Sequence, residues 1–297
     1  MLALDFPFTA MVSVQVLMRL PDNLLVSVLR CSQIPFLKQL SMLPHVIHIA
    51  VLHAACPSIA ADLSLELGDM NGVLSKQDAE TLGCLIANHS SLQHIDVSSI
   101  GTEGVRALGP HLASLSSLQH LNLHFNMIGA EGARALGPHI AKLSCLQHLD
   151  MGMNDIGAEG SRALGPHLVN LLSLQHINLS RNKIGAGGAR ALGPHLAKLS
   201  CLQHLHIGHN GIGAEGASAL GPHLANLSSL QHLNLGGNPI GAEGARSLGP
   251  HLANLSFLQE LYIGRNDIGA EGVEALRPHL FAHCLSRLVC HQKLSER

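Results

Sequence analysis

The sequence predicts an α/β solenoid with parallel strands on a concave inner face and helices on a convex outer face. Leucines recur at a spacing of 28 residues, and a period of this size is typical of stacked repeats. Within each repeat, a short segment alternates apolar and other residues as a strand does, and a longer segment places apolar residues three or four apart as a helix does. The equivalent leucines are Leu118, Leu146, Leu174, Leu202, Leu230 and Leu258.

Each repeat begins with the predicted strand. Leu121 and Leu123 alternate along it, and Asn126 ends it. An asparagine at this place can hydrogen-bond backbone groups of its own turn and of the next repeat, which a stack of strands leaves unpaired. We therefore interpret these asparagines as structural. The equivalent residues are Asn154, Asn182, Asn210, Asn238 and Asn266.

A helix follows each strand. Gly129 suits a tight turn into the helix because glycine adopts positive φ without strain, and Ala133, Leu136 and Ile140 then share one face. A Gly-Pro pair lies inside each predicted helix, as at Pro138. Since proline removes one helical hydrogen bond and disfavours helical geometry in the residue before it, we expect the helices to be kinked or split there.

The two ends of the chain depart from the repeat. Residues 1–61 contain no repeat and are predicted to be a helical N-terminal region or cap. Residues 62–285 form the predicted repeat domain, in which 62–91 is a degenerate copy and seven copies follow from residue 92. Terminal copies of solenoids are atypical because they cap the core. Residues 284–297 are predicted to be a short closing helix and a frayed tail, the tail spanning 286–297.

The complete unit, LQHLNLxxNxIGAEGARxLGPHLAxLSx at residues 230–257, resembles the leucine-rich repeat of the ribonuclease-inhibitor type. Ran GTPase-activating proteins and the sensor halves of nucleotide-binding innate immune receptors use the same repeat. The resemblance covers about residues 62–285. It implies a leucine-rich-repeat solenoid, or horseshoe, and a non-enzymatic scaffold or recognition module that binds another protein.

Thirteen of the 22 histidines form two ladders. The first should stack on the concave face, since parallel strands lie about 4.8 Å apart, and the second should flank the buried leucines of the helices. A straight ladder suits tetrahedral metal coordination poorly, so we favour half-buried residues bonded to backbone, with a pH response as the alternative. The first comprises His94, His120, His148, His176, His204 and His232, and the second His111, His139, His167, His195, His223, His251 and His279.

Composition excludes several functions. The net charge is −2, without the basic excess typical of proteins that bind many phosphates, and tryptophan is absent, so we expect no nucleic-acid partner. The sequence has no GxSxG, GxxxxGK[ST] or HExxH motif and no apolar run of membrane-spanning length. We therefore predict no catalytic residues, no metal, no cofactor, no membrane partner and a monomeric state.

The cysteines favour a reducing compartment. Cys145 and Cys201 lie two repeats apart, beyond the Cα separation of about 7 Å that a disulfide tolerates, and we interpret them as small buried thiols. The chain has seven cysteines but no CxxC pair. Together these features predict a cytoplasmic protein.

The predicted partner site is the concave face. The residues just after the strand leucines differ between copies while the scaffold residues stay constant, which favours a ligand surface, although relaxed drift would look the same. Large aromatic and arginine side chains among them are typical of interface anchors. The candidate residues are His120, Asn122, His124, Phe125, His148, Asp150, Met153, His176, Asn178, Arg181, His204, His206, His209, Tyr262 and Arg265.

Two other functions remain open. The resemblance to Ran GTPase-activating proteins implies GTPase regulation as an alternative, but the acidic tail of those proteins is missing from the sequence at 286–297. The stretch LPDNLLVSVL at 20–29 resembles the first helix of an F-box, which would make the chain a substrate receptor of a ubiquitin ligase. An amphipathic capping helix explains this stretch equally well.

Overall fold

A computed structural model of the protein describes residues 47–50, 62–67, 76–87, 92–97, 99–280 and 287–289. Its strands form one sheet in the order of the sequence, from β1 to β10. Strands β2 to β10 run parallel, and β1 pairs with β2 in the antiparallel direction. The strands are β1 Ile47–Ala50, β2 Asp62–Leu67, β3 His94–Asp96, β4 His120–Asn122, β5 His148–Asp150, β6 His176–Asn178, β7 His204–His206, β8 His232–Asn234, β9 Glu260–Tyr262 and β10 Arg287–Val289.

A helix follows each strand from β2 to β9, so the described chain is a regular α/β solenoid with strands on one side and helices on the other, as the sequence predicts. Neighbouring strands lie about 4.8 Å apart while packed helices need about 8–10 Å, so the strand side is expected to be the concave one. The helices are α1 Lys76–Ala87, α2 Gly101–Leu112, α3 Gly129–Ile140, α4 Gly157–Leu168, α5 Gly185–Leu196, α6 Gly213–Leu224, α7 Gly241–Leu252 and α8 Gly269–Leu280.

The core is one continuous layer of leucine and isoleucine between strands and helices. The middle residue of each regular strand is buried, as at Leu121 and Leu149, and it meets helix residues such as Leu136 and Ile140. Equivalent residues pair along the whole sheet, His120 opposite His148 for example. Each side chain therefore lies next to its own counterpart in the neighbouring repeats.

The buried asparagines join neighbouring repeats through the backbone. The Oδ1 atom of Asn154 accepts the N–H of Asn126 at 2.9 Å, and its Nδ2 donates to the carbonyls of Leu123 at 2.7 Å and Met151 at 3.0 Å. The structural assignment is thus confirmed, but the direction is the reverse of the prediction. Each asparagine bonds the preceding repeat because its side chain points back across the stack.

The helix histidines explain the glycine of every Gly-Pro pair. A Cβ atom on Gly165 would lie 2.6 Å from Cδ2 of His195, one helix further on. The same contact joins Gly137 to His167 and Gly193 to His223. Since real Cβ contacts are longer than this, glycine permits the close approach of adjacent helices, and the histidine ring fills the space beside it.

The prediction that the Gly-Pro pairs split the helices is wrong. Helix α3 runs without a break from Gly129 through Pro138 to Ile140. Only two residues of the helix follow the proline, and its ring is exposed to solvent. The proline therefore disturbs just the last turn, where the helix is already ending.

The described parts of the terminal regions are strands where helices were predicted. Ile47–Ala50 lies within the region 1–61 and pairs with β2, and Arg287–Val289 lies within the segment predicted to hold a closing helix and a tail and pairs with β9. A strand at each end satisfies backbone groups that an open sheet edge leaves unpaired. Residues 62–91, predicted to be a degenerate copy, contain β2 and α1. The domain boundaries themselves stay predictions, and the F-box-like stretch 20–29 lies outside the described residues.

The thiols are not buried as predicted. Cys145 and Cys201 are both free and exposed. Each lies in the short loop between a helix and the next strand, directly before a core leucine, Leu146 or Leu202. Because that leucine turns inward, the cysteine before it turns toward solvent.

The strand face as a candidate binding surface

We define the strand face as the side chains at the first and third positions of β3 to β9, together with the second and third residues after each of these strands. At the first position the histidines of β3 to β8 stack as the strand spacing predicts. Consecutive ring centroids are 3.9–4.2 Å apart, and the planes of the last four pairs lie within 16° of parallel. The stack ends where Nδ1 of His232 lies 3.1 Å from Oε2 of Glu260.

Three of the stacked imidazoles, those of His148, His176 and His204, have a lowered pKa. Burial, reinforced by the neighbouring imidazoles, lowers the pKa of His176 and of His204 to about 4. Burial also lowers the pKa of His148. For these three residues the ring contacts are with adjacent rings, whereas the sequence favoured bonds to backbone. The strand spacing of about 4.8 Å brings the rings into face-to-face contact.

The third strand position forms a polar row beside the histidines. Nδ2 of Asn178 donates to both carboxylate oxygens of Asp150, at 3.1 and 3.0 Å, and the N–H of Gly152 donates to Oδ1 at 2.8 Å. Nδ1 of His124 lies 3.4 Å from the same oxygen. Burial lowers the pKa of His206, and the carboxylate of Asp150 opposes that shift. The carboxylate of Asp150 is thus held among amides and imidazoles.

An open cavity of about 410 Å³ lies between these two rows on β4 to β7. Eight of the predicted partner-binding residues line it, so the structure brings them together. They are His120, Asn122, His148, Asp150, His176, Asn178, His204 and His206.

The residues after each strand are held in the left-handed region. Phe125, Arg181, His209 and Arg265 have φ of 56–58° and are exposed, while Met153 has φ of 56° and is half-buried. A non-glycine residue rarely adopts this conformation without a constraint, and the buried asparagine that follows each of them supplies it. The turn therefore directs these side chains outward along one edge of the strand face.

Tyr262 and His209 lie against a pair of glycines. A Cβ on Gly236 would collide with the ring of Tyr262, and a Cβ on Gly237 would lie 2.5 Å from Nδ1 of His209. The glycines thus let both rings rest on the backbone between β8 and the following turn. Tyr262 and Arg265 belong to β9 and its turn, outside the residues that line the cavity.

Four residues on or beside this surface were not among the candidate site residues. Three of them, Asp96, Asn234 and Glu260, occupy the same strand positions as predicted site residues. The Oδ2 atom of Asp96 accepts a hydrogen bond from Nδ2 of Asn122 at 2.9 Å. Met127 lies two residues beyond Phe125, has φ of 50° and is 58% exposed. The first three could have been found by extending the repeat alignment to every strand.

Two features are absent from the described residues. No group of three or more His, Cys, Asp or Glu side chains in that part of the chain could hold a metal ion. None of the described helices is long and apolar enough to span a bilayer.

Comparison with known proteins identifies the repeat. A family model described as "Leucine Rich repeat" matches residues 114–137, 142–165, 170–193, 198–221, 226–249 and 254–276. The comparison with curated proteins gave no match.

Solved structures with a similar chain trace include three proteins. The structure of a TLR13 complex with ssRNA13 shares 22% identity over 60% of this chain, with a TM-score of 0.39, and the match spans only 23% of the TLR13 chain. An internalin, inlF, of Listeria monocytogenes shares 18% identity over 73% of this chain and 77% of its own, with a TM-score of 0.26. A leucine-rich repeat protein of Leptospira interrogans shares 17% identity over 69% of this chain and 75% of its own, with a TM-score of 0.21. The identification of the leucine-rich repeat rests on the six segments that match the family model.

Proposed function

Because six segments of the chain match the leucine-rich repeat model, we propose that it is a non-enzymatic scaffold that binds another protein on its strand face. The observation that carries this proposal is a contrast within the repeat. The middle strand residue is a buried leucine or isoleucine in every regular copy. The third residue after the strand, by contrast, is Phe125, Met153 or Arg181 in successive copies. A fixed frame with differing outward side chains is the form in which solenoids present binding surfaces.

The exposed apolar groups on this face support the same conclusion. Phe125 is 57% exposed and Met127 is 58% exposed, one on either side of the buried Asn126. Large apolar side chains held outward by a constrained turn contribute nothing to the core. They are the types that anchor protein interfaces when a partner covers them.

The helix face is the natural comparison surface. Arg134 pairs with Glu131 and Arg162 pairs with Glu159, all four side chains being exposed. Such pairs satisfy each other's charge in solvent, so this face resembles a hydrated outer surface more than a binding one.

Affinity capture followed by mass spectrometry tests the proposal. The double variant Phe125→Ala with Met153→Ala should recover at least about tenfold less of a specific partner than the wild type, because anchor residues carry most of the binding energy. The matched variant Glu131→Ala with Arg134→Ala should recover as much as the wild type. Loss of the partner from the helix-face variant alone would refute the proposed surface.

The alternatives are tested by the same capture. A small GTPase among the partners would favour GTPase regulation, and a cullin adaptor would favour an F-box role for residues 20–29. No feature of the described residues favours either of them. Among the described residues, the exposed and free thiols of Cys145 and Cys201 support a location in the reducing cytoplasm.

A further inference from the structure

Two arginines of the strand face differ from most of the arginines on the helices. Among the described residues, no carboxylate oxygen lies within 4.0 Å of a guanidinium nitrogen of Arg181 or Arg265, and both side chains are exposed. Five of the six arginines in the described helices, by contrast, each pair with a glutamate, and Arg246 is the exception. The five are Arg106, Arg134, Arg162, Arg190 and Arg277. The strand-face arginines are therefore available to an outside anion.

The two arginines occupy the same turn position and lie on either side of His209. All three residues have φ of 56°, so their side chains leave the backbone in the same direction. Gly237 takes the equivalent position before Arg265, and the His209 ring lies against it. Burial lowers the pKa of His209, and the charges of Arg181 and Arg265 lower it further, which places both guanidinium groups within electrostatic reach of one ring.

We name Arg181, His209, Gly237, Tyr262 and Arg265 the cationic shelf. Tyr262, with its ring on Gly236, gives the shelf an apolar floor with a polar end. The nearby acids belong to other contacts or directions, since Glu260 approaches His232 and Asp267 lies beyond the buried asparagine of its turn. The shelf thus combines two unpaired guanidinium groups with an aromatic side chain, a combination enriched at protein interfaces.

We propose that the cationic shelf binds an acidic segment of a partner protein, whose carboxylates pair with Arg181 and Arg265 while the segment packs on Tyr262 and His209. The inference rests on the proposed function and names the chemistry of the partner. Guanidinium groups suit carboxylates because the planar fork donates two parallel hydrogen bonds. Asp150 and Glu260 lie on the same face, so a continuous phosphate backbone would meet like charge where a protein segment need not.

The geometry also sets the spacing of the acids. Arg181 and Arg265 are separated by three repeats, which corresponds to about 14 Å at a strand spacing of about 4.8 Å. An extended segment rises about 3.3 Å per residue, and its side chains alternate between faces. Two acidic residues four positions apart would therefore span the shelf and point to the same side.

Fluorescence polarisation with labelled twelve-residue peptides tests the inference on the full chain at low ionic strength. The probe carries two glutamates four positions apart in a Gly-Ser background. One control peptide places the glutamates two positions apart, and another replaces both with glutamine. The inference expects the first peptide to bind at least fivefold more tightly than either control, and equal binding of all three peptides would overturn it.

Variants of the protein separate the shelf from general attraction. Arg181→Gln with Arg265→Gln should weaken the first peptide at least tenfold, whereas Arg134→Gln with Arg162→Gln removes the same charge from the helices and should leave binding unchanged. Both pairs are exposed, and circular dichroism and thermal unfolding verify that each variant folds. Equal loss in both variants would overturn the shelf.

Two further outcomes distinguish this inference from the proposed function. A twelve-nucleotide single-stranded RNA that binds more tightly than the acidic peptide, and is lost in the Arg181→Gln, Arg265→Gln variant, would overturn the choice of a protein segment. Absence of acidic-peptide binding, with partner capture still dependent on Phe125 and Met153, would refute the inference and leave the proposed function standing. Partner capture independent of those two residues would refute the proposed function instead.

Discussion

Replacing Asn182 with alanine should destabilise the protein far more than replacing its neighbour Arg181. Asn182 is fully buried, and its Oδ1 accepts the N–H groups of Asn154 at 3.0 Å and Ile156 at 3.4 Å. Alanine would leave both donors without a partner inside the stack. Arg181 is exposed, and alanine at that position keeps the same backbone conformation.

The magnitude follows from the groups that lose their partners. An orphaned buried donor costs about 1–3 kcal/mol, and the longer bond of Ile156 belongs at the low end of that range. The carbonyls that accept hydrogen bonds from Asn182 lose less, because each retains a second donor. The carbonyl of Met151 still accepts Nδ2 of Asn154 at 3.0 Å, and that of Leu179 still accepts Nδ2 of Asn210 at 2.9 Å. We expect about 2–4 kcal/mol in total for Asn182→Ala, and less than about 0.5 kcal/mol for Arg181→Ala.

Urea unfolding followed by circular dichroism measures both values. Asn182 lies in the middle of the array, with repeats packed on both sides, so fraying of a terminal repeat cannot relieve the loss. A shift of the midpoint that is the same for the two variants would contradict the role of the asparagine ladder. A large shift of the midpoint for Arg181→Ala alone would also contradict that role.

Three further predictions concern packing, backbone conformation and pH. Gly165→Ala should cost about 1–3 kcal/mol because its Cβ meets His195, and adding His195→Ala should restore part of that loss in a double-mutant cycle of urea midpoints. Met127→Gly should raise stability by about 1 kcal/mol, since Met127 is exposed at φ of 50°, and an unchanged or lower melting temperature would contradict this. The melting temperature should fall as the pH drops from about 6.5 toward 4, because His176 and His204, with pKa lowered to about 4 in the folded state, bind fewer protons than the unfolded chain there. Replacing both with asparagine should flatten this dependence, and an identical dependence in the variant would exclude the stack as its source.

The repeat made most of the fold predictable. The alternating leucines, the asparagine and the apolar helix face of one copy are enough to predict the other copies, since each residue lies beside its own counterpart. The ends were not predictable in the same way, because Ile47–Ala50 and Arg287–Val289 take their conformation from an open sheet edge and not from a local pattern. Local patterns favour helix there, and pairing with the edge overrides them.

The candidate site was also predictable from the sequence only in part. The stacking of the histidines follows from strand spacing alone, so the sequence is sufficient to predict it. The environment of Tyr262 and His209 depends on two glycines in a neighbouring turn, Gly236 and Gly237, which carry no side chain to suggest a role. The contact between Gly165 and His195 was hidden for a similar reason, since proline next to the glycine suggested a break in the helix.

The contacts between repeats also determine how such a chain can change its length. The asparagine, histidine and glycine contacts each join adjacent repeats, and they use the same pair of repeat positions at every junction. Removing residues 157–184, one full period, would join Ile156 directly to Gly185 and reproduce the sequence pattern of every remaining junction. Recombination between the similar coding segments can therefore lengthen or shorten the array without creating a new interface. That deletion would remove Arg181 and bring Arg265 one repeat closer to Asp150, so the chain can acquire new recognition patterns by rearranging copies without redesigning its core.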